Sequence, residues 1–299
     1  MPRKTVVVTG ANAGLGYAIS RALLEQDYRV VMACRNATKA AAARSSLLES
    51  VPGADASVLP LDVSELDSVE TFAKLFEEQF GELDLLINNA GIVGLPLTRN
   101  DAGHELQMAT NYLGNFALVG RMLPFFNKES PCRIVNVGSL AHRFGKLPVD
   151  DMSWTVDDYK PMKGYARSKV ALLSFTQELN RRLTGTNIIA LAAHPGFAAT
   201  EITARNVEMQ PKNAIQRWIR SKVEPLIPTP AEAARPILHA ALAEDVSGGD
   251  YYGPGGFLEI AGKPAMAKLN PKTRDVEGAR QLWSISQDMT GVRFLGADA

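Results

Sequence analysis

Disulfide bonding is the first thing this chain cannot rely on: its 299 residues include only two cysteines, Cys34 and Cys132, each beside an apolar, strand-like run. Such sparing use excludes a disulfide framework and suits a reducing cytoplasm, the expected location. Histidine is also scarce. His104, His142, His194 and His239 lack the close spacing of metal ligands, so no metal site is expected. Nor does one sign of charge dominate, because 32 basic and 32 acidic residues cancel and are spread along the chain. That removes the electrostatic footprint of a protein for nucleic acid or an anionic membrane. No uninterrupted apolar run approaches the ~18 to 20 residues that span a bilayer. No leader is expected, because "KTVVVTG" begins at residue 4. These absences predict a soluble protein that works on a neutral small molecule.

What is present is an alternation. "TVVV" (5 to 8), "YRVVMAC" (28 to 34), "ASVLPLDV" (56 to 63), "LDLLINNAG" (83 to 91), "RIVNVGS" (133 to 139) and "IIALAAHPG" (188 to 196) are nearly continuously apolar, as strands buried on both faces are. Stretches of helical period, such as 14 to 26 and 65 to 79, lie between them. The pattern predicts a doubly wound, Rossmann-type α/β fold: a mostly parallel sheet of about seven strands with helices on both faces, in one domain over 1 to 299. Ser64 ahead of "ELD", with Asp67 third, and Thr229 ahead of Pro230, with Glu232 third, predict capped helix starts. Residues 140 to 164, with two Asp pairs, prolines and Trp154, break the rhythm, as does an apparent helical excursion over 197 to 228. Both follow carboxyl ends of expected strands, where open parallel sheets bind ligands. The tail from about 264 ends in one amphipathic helix and carries no functional expectation.

"TGANAGLG" (9 to 16) joins the first strand to the first helix. Glycines at this spacing allow a tight turn and close approach of backbone to a pyrophosphate, whose charge the helix N-terminus favours. An ordinary flexible turn is the plainer reading of any lone glycine-rich loop, and this spacing departs from G-x-G-x-x-G. Past the second strand, "ACRN" puts Cys34 where an acidic residue would hold a ribose 2′-hydroxyl, with Arg35 next. A guanidinium there can pair with a 2′-phosphate, so NADP is favoured over NAD, Lys39 assisting; otherwise Arg35 is a solvated charge.

"GYARSK" (164 to 169) sets Tyr165 and Lys169 four apart, on one helix face. An ammonium near a phenol stabilises the phenolate and lowers its pKa towards the range of an acid/base catalyst. In isolation the pair would read as half-buried core beside solvated charge; its neighbours change that. "VNVGS" ends a strand at Ser139, whose hydroxyl at the sheet's carboxyl edge could meet a substrate oxygen or could simply cap a turn. Asn111 falls inside a helical stretch that asparagine disfavours, which implies a polar task such as holding a relay water, or else a buried polar contact.

Together "TGANAGLG", "NNAG" (88 to 91), Asn111, Ser139, "YARSK" and "HPG" (194 to 196), in this order over about residues 4 to 260, resemble the short-chain dehydrogenase/reductase family. "ACRN", "GSLAH", the long gap from Ser139 to Tyr165 and "YYGPGG" look like its branch of retinol dehydrogenases and WW-domain oxidoreductases. The resemblance implies that Tyr165 is the general acid/base and that Lys169 lowers its pKa and binds the nicotinamide ribose. It also implies that Ser139 polarises the carbonyl or alcohol and Asn111 anchors a relay water. Gly10, Asn12, Gly14 and Gly16 would form the phosphate loop, and Asp62 and Val63 would contact adenine. Asn89, Ala90 and Gly91 would lie behind the cofactor, and Pro195, Gly196 and Thr200 near the nicotinamide. NADP-preferring relatives often carry a basic residue where this chain has Ala13, so the NADP expectation rests on Arg35.

The expected activity is hydride transfer between NADP(H) and a hydrophobic alcohol, ketone or aldehyde, with Phe197, Ile202, Val207, Met209 and Trp218 either pocket walls or plain helix core. The family also implies a homodimer or homotetramer. A non-catalytic dinucleotide-binding redox sensor is the alternative from another class, though it would not need Ser, Tyr and Lys together. Sugar-nucleotide epimerases share the Tyr and Lys but normally have longer chains and different glycine spacing.

Overall fold

The computed structural model describes residues 3–155, 158–197 and 228–296. Seven strands run parallel: β1 (Thr5–Thr9), β2 (Arg29–Cys34), β3 (Asp55–Pro60), β4 (Leu85–Asn88), β5 (Cys132–Val137), β6 (Ile188–Ala193) and β7 (Tyr251–Pro254). An eighth, β8 (Pro264–Met266), pairs antiparallel on the β7 edge, giving the order β3-β2-β1-β4-β5-β6-β7-β8. The sequence expectation of about seven strands falls short by this one, a three-residue strand whose single hydrophobic alternation is too short to register.

Register explains why the strands are apolar throughout. Val31, Val7, Leu86, Ile134 and Ala190 lie side by side across the sheet and point into one core layer. Phe72, Phe76, Phe116, Phe175 and Trp283 cover that layer. They come from α3 (Leu66–Gln79), α5 (Gly114–Met122), α6 (Pro161–Arg182) and α8 (Val276–Thr290). The neighbouring row, Met32, Val8, Ile87 and Val135, faces the other layer. There α1 (Gly14–Leu24), α2 (Ala37–Ser50) and α7 (Pro230–Leu242) supply Ile19, Leu23, Leu47 and Ile237. Each such side chain, fully removed from water, contributes roughly 1.5–3 kcal/mol.

Helix ends follow local chemistry in one case and not in the other. Thr229 and Glu232 form the expected reciprocal box at the start of α7, with Pro230 as its first residue. Ser64 does not cap α3. Its hydroxyl donates to Asp62 Oδ1 at 2.6 Å, and the helix begins at Leu66 after Glu65, which makes no side-chain cap.

Candidate active site

The turn of sheet order lies between β1 and β4, and the loops leaving their carboxyl ends meet there. Gly10 (φ +64°) and Gly14 (φ +53°) adopt left-handed backbone that other residues avoid. A Cβ on Gly16 would stand 2.3 Å from the Gly10 carbonyl oxygen and 2.6 Å from Asn89 Nδ2, so only glycine fits. Residue 13 is alanine and provides no side-chain cap to α1. The first amides of that helix are therefore left to an anionic partner. A glycine-bounded cradle above an uncapped helix fits a dinucleotide pyrophosphate. Asn89 fastens the cradle, its amide donating to Thr9 O at 2.8 Å, while the Thr9 hydroxyl accepts from the backbone N–H of Asn89 and Ala90. Thr9 lies inside the quoted glycine stretch, yet nothing in its spacing marks it as the post that joins β1 to β4.

Beyond β2 and β3, Cys34 turns inward. Its thiol is buried beneath the turn, and burial pushes it up to about 11 while the Ala11 and Asn12 amides pull the other way. Arg35 points outward with 72% of its side chain exposed, 3.5 Å from Asp62 Oδ2. Asp62 also accepts from the backbone N–H of Ser64. Val63 is buried under α5, where Gly114 comes so near that a Cβ would stand 1.7 Å from the Val63 oxygen. Lys39 is exposed, one turn into α2.

At the ends of β5 and α6 the expected quartet converges. Ser139 caps a short 3₁₀ helix (Leu140–Phe144) by accepting the Ala141 N–H at 3.2 Å, and its hydroxyl also faces the phenol of Tyr165. Burial raises the Tyr165 pKa and Ser139 pulls it back. Lys169 Nζ lies 5.8 Å from the Tyr165 ring centre and donates to Val137 O at 2.8 Å. With 5% of its surface exposed, this ammonium is pushed down to about 8 by burial. The expected lowering of the phenol by Lys169 is thus not the dominant influence in this arrangement, because the lysine is anchored to the strand end and burial dominates both groups.

Asn111 sits in a single π-helical turn, Ala109–Leu113, between α4 (Leu106–Met108) and α5. Such turns often mark functional positions. Its Nδ2 donates to Ile92 O and Ser168 Oγ, both at 2.9 Å, and Oδ1 accepts from Ile92 N at 2.8 Å. A Cβ on Gly91 would stand 3.0 Å from that Oδ1 and 3.7 Å from Lys169 Nζ. Ser168 was not marked by the sequence, although it is the link that holds Asn111 to the tyrosine helix.

Pro195 and Gly196 leave β6 in a turn with Gly196 at φ +75°, pressed against the Ile260 carbonyl. Phe197 is the last residue described there and is exposed. Thr200, Ile202, Val207, Met209 and Trp218, and with them most of the expected excursion over 197–228, lie outside the described residues. The irregular segment before α6 is fastened to the chain after β4. Tyr159 Oη donates to Glu105 Oε1 and accepts from Gln107 Nε2, and Arg99 holds the Ser153 and Trp154 carbonyls.

The family model for short chain dehydrogenase matches residues 4–211. The chain belongs to the short-chain dehydrogenase family. As a short-chain dehydrogenase/reductase it is an oxidoreductase, of a family that binds NAD(P). Curated members similar to it include retinol dehydrogenase 13 of Homo sapiens, 33% identical over 98% of this chain and 86% of that protein. Retinol dehydrogenase 14 of Mus musculus is 34% identical over 98% and 87%. Among solved short-chain dehydrogenase-like structures, a protein from Mycobacterium Paratuberculosis has a TM-score of 0.79 at 34% identity, covering 97% of this chain and 94% of the other. The Pseudomonas aeruginosa RhlG/NADP active-site complex has a TM-score of 0.65 at 25% identity, covering 83% and 93%.

Proposed function

We propose that this short-chain dehydrogenase is an NADP-dependent carbonyl reductase or alcohol dehydrogenase for a hydrophobic substrate, with Tyr165 as general acid and base. The observation that carries this reading is the convergence of Ser139, Tyr165 and buried Lys169 at the carboxyl edge of the sheet, beside the glycine cradle. The dinucleotide, when bound, supplies the hydride chemistry. Gly10, Asn12, Gly14 and Gly16 would hold its pyrophosphate, and Asp62 and Val63 would border the adenine. Asn89, Ala90 and Gly91 line the back wall, with Pro195 and Gly196 near the nicotinamide.

The protein's own residues then position and protonate. The Ser139 hydroxyl donates to the substrate oxygen, and Tyr165 gives that oxygen a proton in reduction or takes one in oxidation. Lys169 and the open lone pair of Asn111 Oδ1 flank Gly91, where a water can pass the proton onward. The cation at Lys169 stabilises the phenolate once the hydroxyl has given up its proton.

Arg35 supports NADP over NAD, since its exposed guanidinium stands at the end of β2 ahead of α2, and the similar RhlG complex contains NADP. A hydrophobic substrate is supported by the retinol dehydrogenases among the relatives and by exposed Phe144, Phe197 and Phe257 on the loops after β5, β6 and β7. Buried, unpaired Cys34 and Cys132 support a cytoplasmic setting. The test follows NADPH and NADH absorbance with bulky ketones, aldehydes and retinoids. NADPH-dependent turnover that disappears in Tyr165→Phe is expected; undiminished turnover in that variant would overturn the mechanism.

A further inference from the structure

Behind the quartet lies a second set of polar groups, two buried imidazoles and a half-buried ion pair, that the reaction outlined above does not use. His194, one of the four scattered histidines, is fully buried at the exit of β6. Its Nδ1 accepts the Gly196 N–H at 3.1 Å, so Nε2 carries the proton and donates to Glu259 Oε2 at 3.0 Å. The same Glu259 oxygen lies 2.6 Å from Arg143 Nη2. Glu259 Oε1 takes the Lys268 N–H at 3.3 Å. Arg143 follows His142, whose Nδ1 sits 2.5 Å from the Ser139 carbonyl oxygen. The ring of Tyr251 stands between the imidazoles, 5.4 Å from His142 and 5.3 Å from His194.

The backbone is bent to make this possible. Leu258 and Glu259 have φ of 53° and 58°, a left-handed conformation unfavourable for residues with a Cβ. Such strain persists only where the surroundings over-determine it, and it clusters at functional sites. Here both oxygens of the Glu259 carboxylate are engaged, one by His194 and Arg143 and the other by the Lys268 N–H. The loop over 256–262 is further seated against the β6 exit by Phe197 N donating to Ile260 O at 3.1 Å.

We propose that Glu259 is a positioning residue: its carboxylate latches together the loops leaving β5, β6 and β7, and thereby fixes Ser139 and the 194–197 turn relative to Tyr165. This rests on the active-site reading given above. Glu259 touches no reacting atom. It acts through Arg143 and His142 on the Ser139 main chain, and through His194 on the turn that borders the nicotinamide position.

Glu259→Gln keeps the shape and can still accept from His194, but it removes the charge facing Arg143. Hydrogen exchange of the full chain reads the latch directly. In this variant, amides in 139–145 and 194–197 should exchange about ten times faster, while those in 9–16 are unchanged. Turnover of NADPH with the fastest aldehyde of the panel should fall about tenfold in kcat, with cofactor Kd within about twofold. In a Ser139→Ala background the same substitution should cost clearly less in kcat than in wild type, because one of the two groups it positions is gone and only the 194–197 turn is still affected. Arg143→Lys should give a smaller change in the same direction and in the same amides.

Unchanged exchange in both loops would overturn the latch. An equal loss of kcat with and without Ser139 would overturn action through that residue. Full turnover by Ser139→Ala or Tyr165→Phe would instead remove the active-site reading itself, which the exchange result does not depend on.

Discussion

The two ends of the sheet's carboxyl edge are built from different materials. From β1 to β4 the site is made of main chain: positive-φ glycines, a helix start with no side-chain cap, and Thr9 and Asn89 serving backbone amides and carbonyls. From β5 to β7 it is made of buried polar side chains, Lys169, Asn111 and His194, whose partners come from segments far apart in the chain. A main-chain site is tolerant of neighbouring side chains but intolerant of any Cβ where the backbone must close up. The side-chain end is packed as closely, a Cβ on Gly253 coming within 1.9 Å of His194 Nε2 and one on Gly196 within 2.1 Å of the Ile260 oxygen, but its energetics are dominated by burial of groups that would rather be charged or hydrogen-bonded to water.

Substitutions should separate the two ends. The largest effect is expected at the side-chain end, where Tyr165→Phe removes the proton donor and lowers kcat by ~100- to 10,000-fold. Cofactor binding, measured by fluorescence titration, should survive. Next comes Lys169, whose pKa lies near 8 in the folded chain against an ordinary 10.5. The unfolded chain binds more protons between those values, so this residue's contribution to stability rises as pH climbs through the window. Urea midpoints should show wild type gaining roughly 3 kcal/mol relative to Lys169→Met between those pH values. A difference that stays flat with pH would show that the ammonium is not held in a low-dielectric site.

At the main-chain end, Gly16→Ala forces a Cβ to within 2.3 Å of the Gly10 oxygen. The chain must shift there, at a cost of roughly 1–3 kcal/mol in stability. Cofactor Kd by calorimetry should rise at least about tenfold as the cradle opens. An alanine that binds the dinucleotide normally would mean that the close approach is dispensable. The smallest effect belongs to Arg35, which is exposed and screened by solvent. Arg35→Ala should raise the KM for NADPH about tenfold and leave that for NADH within about twofold. Equal effects on both cofactors would remove the case for a 2′-phosphate contact.

The same division decides what could be read without coordinates. The glycine turn was legible because the need for no Cβ is a property of single positions, and Tyr165 with Lys169 because helical spacing places i and i+4 on one face. The strands were legible because both faces are covered, which leaves continuous apolar runs. β8 escaped notice at three residues, and Ser64 misled because α3 starts one residue later than its spacing implies, at Leu66 after Glu65, while the Ser64 hydroxyl donates to Asp62.

Sequence alone therefore determined the parallel α/β fold, through its continuously apolar strands, and the family, through a glycine turn and a Ser, Tyr and Lys set that are specific only in combination. Tertiary structure alone decided that Asn111 binds Ile92 and Ser168, that Lys169 leans on Val137 and that Glu259 joins His194 to Arg143. The reason is physical. A hydrogen bond from a side chain to a group distant in the chain depends on which loops the sheet order brings together, and no local pattern carries that information.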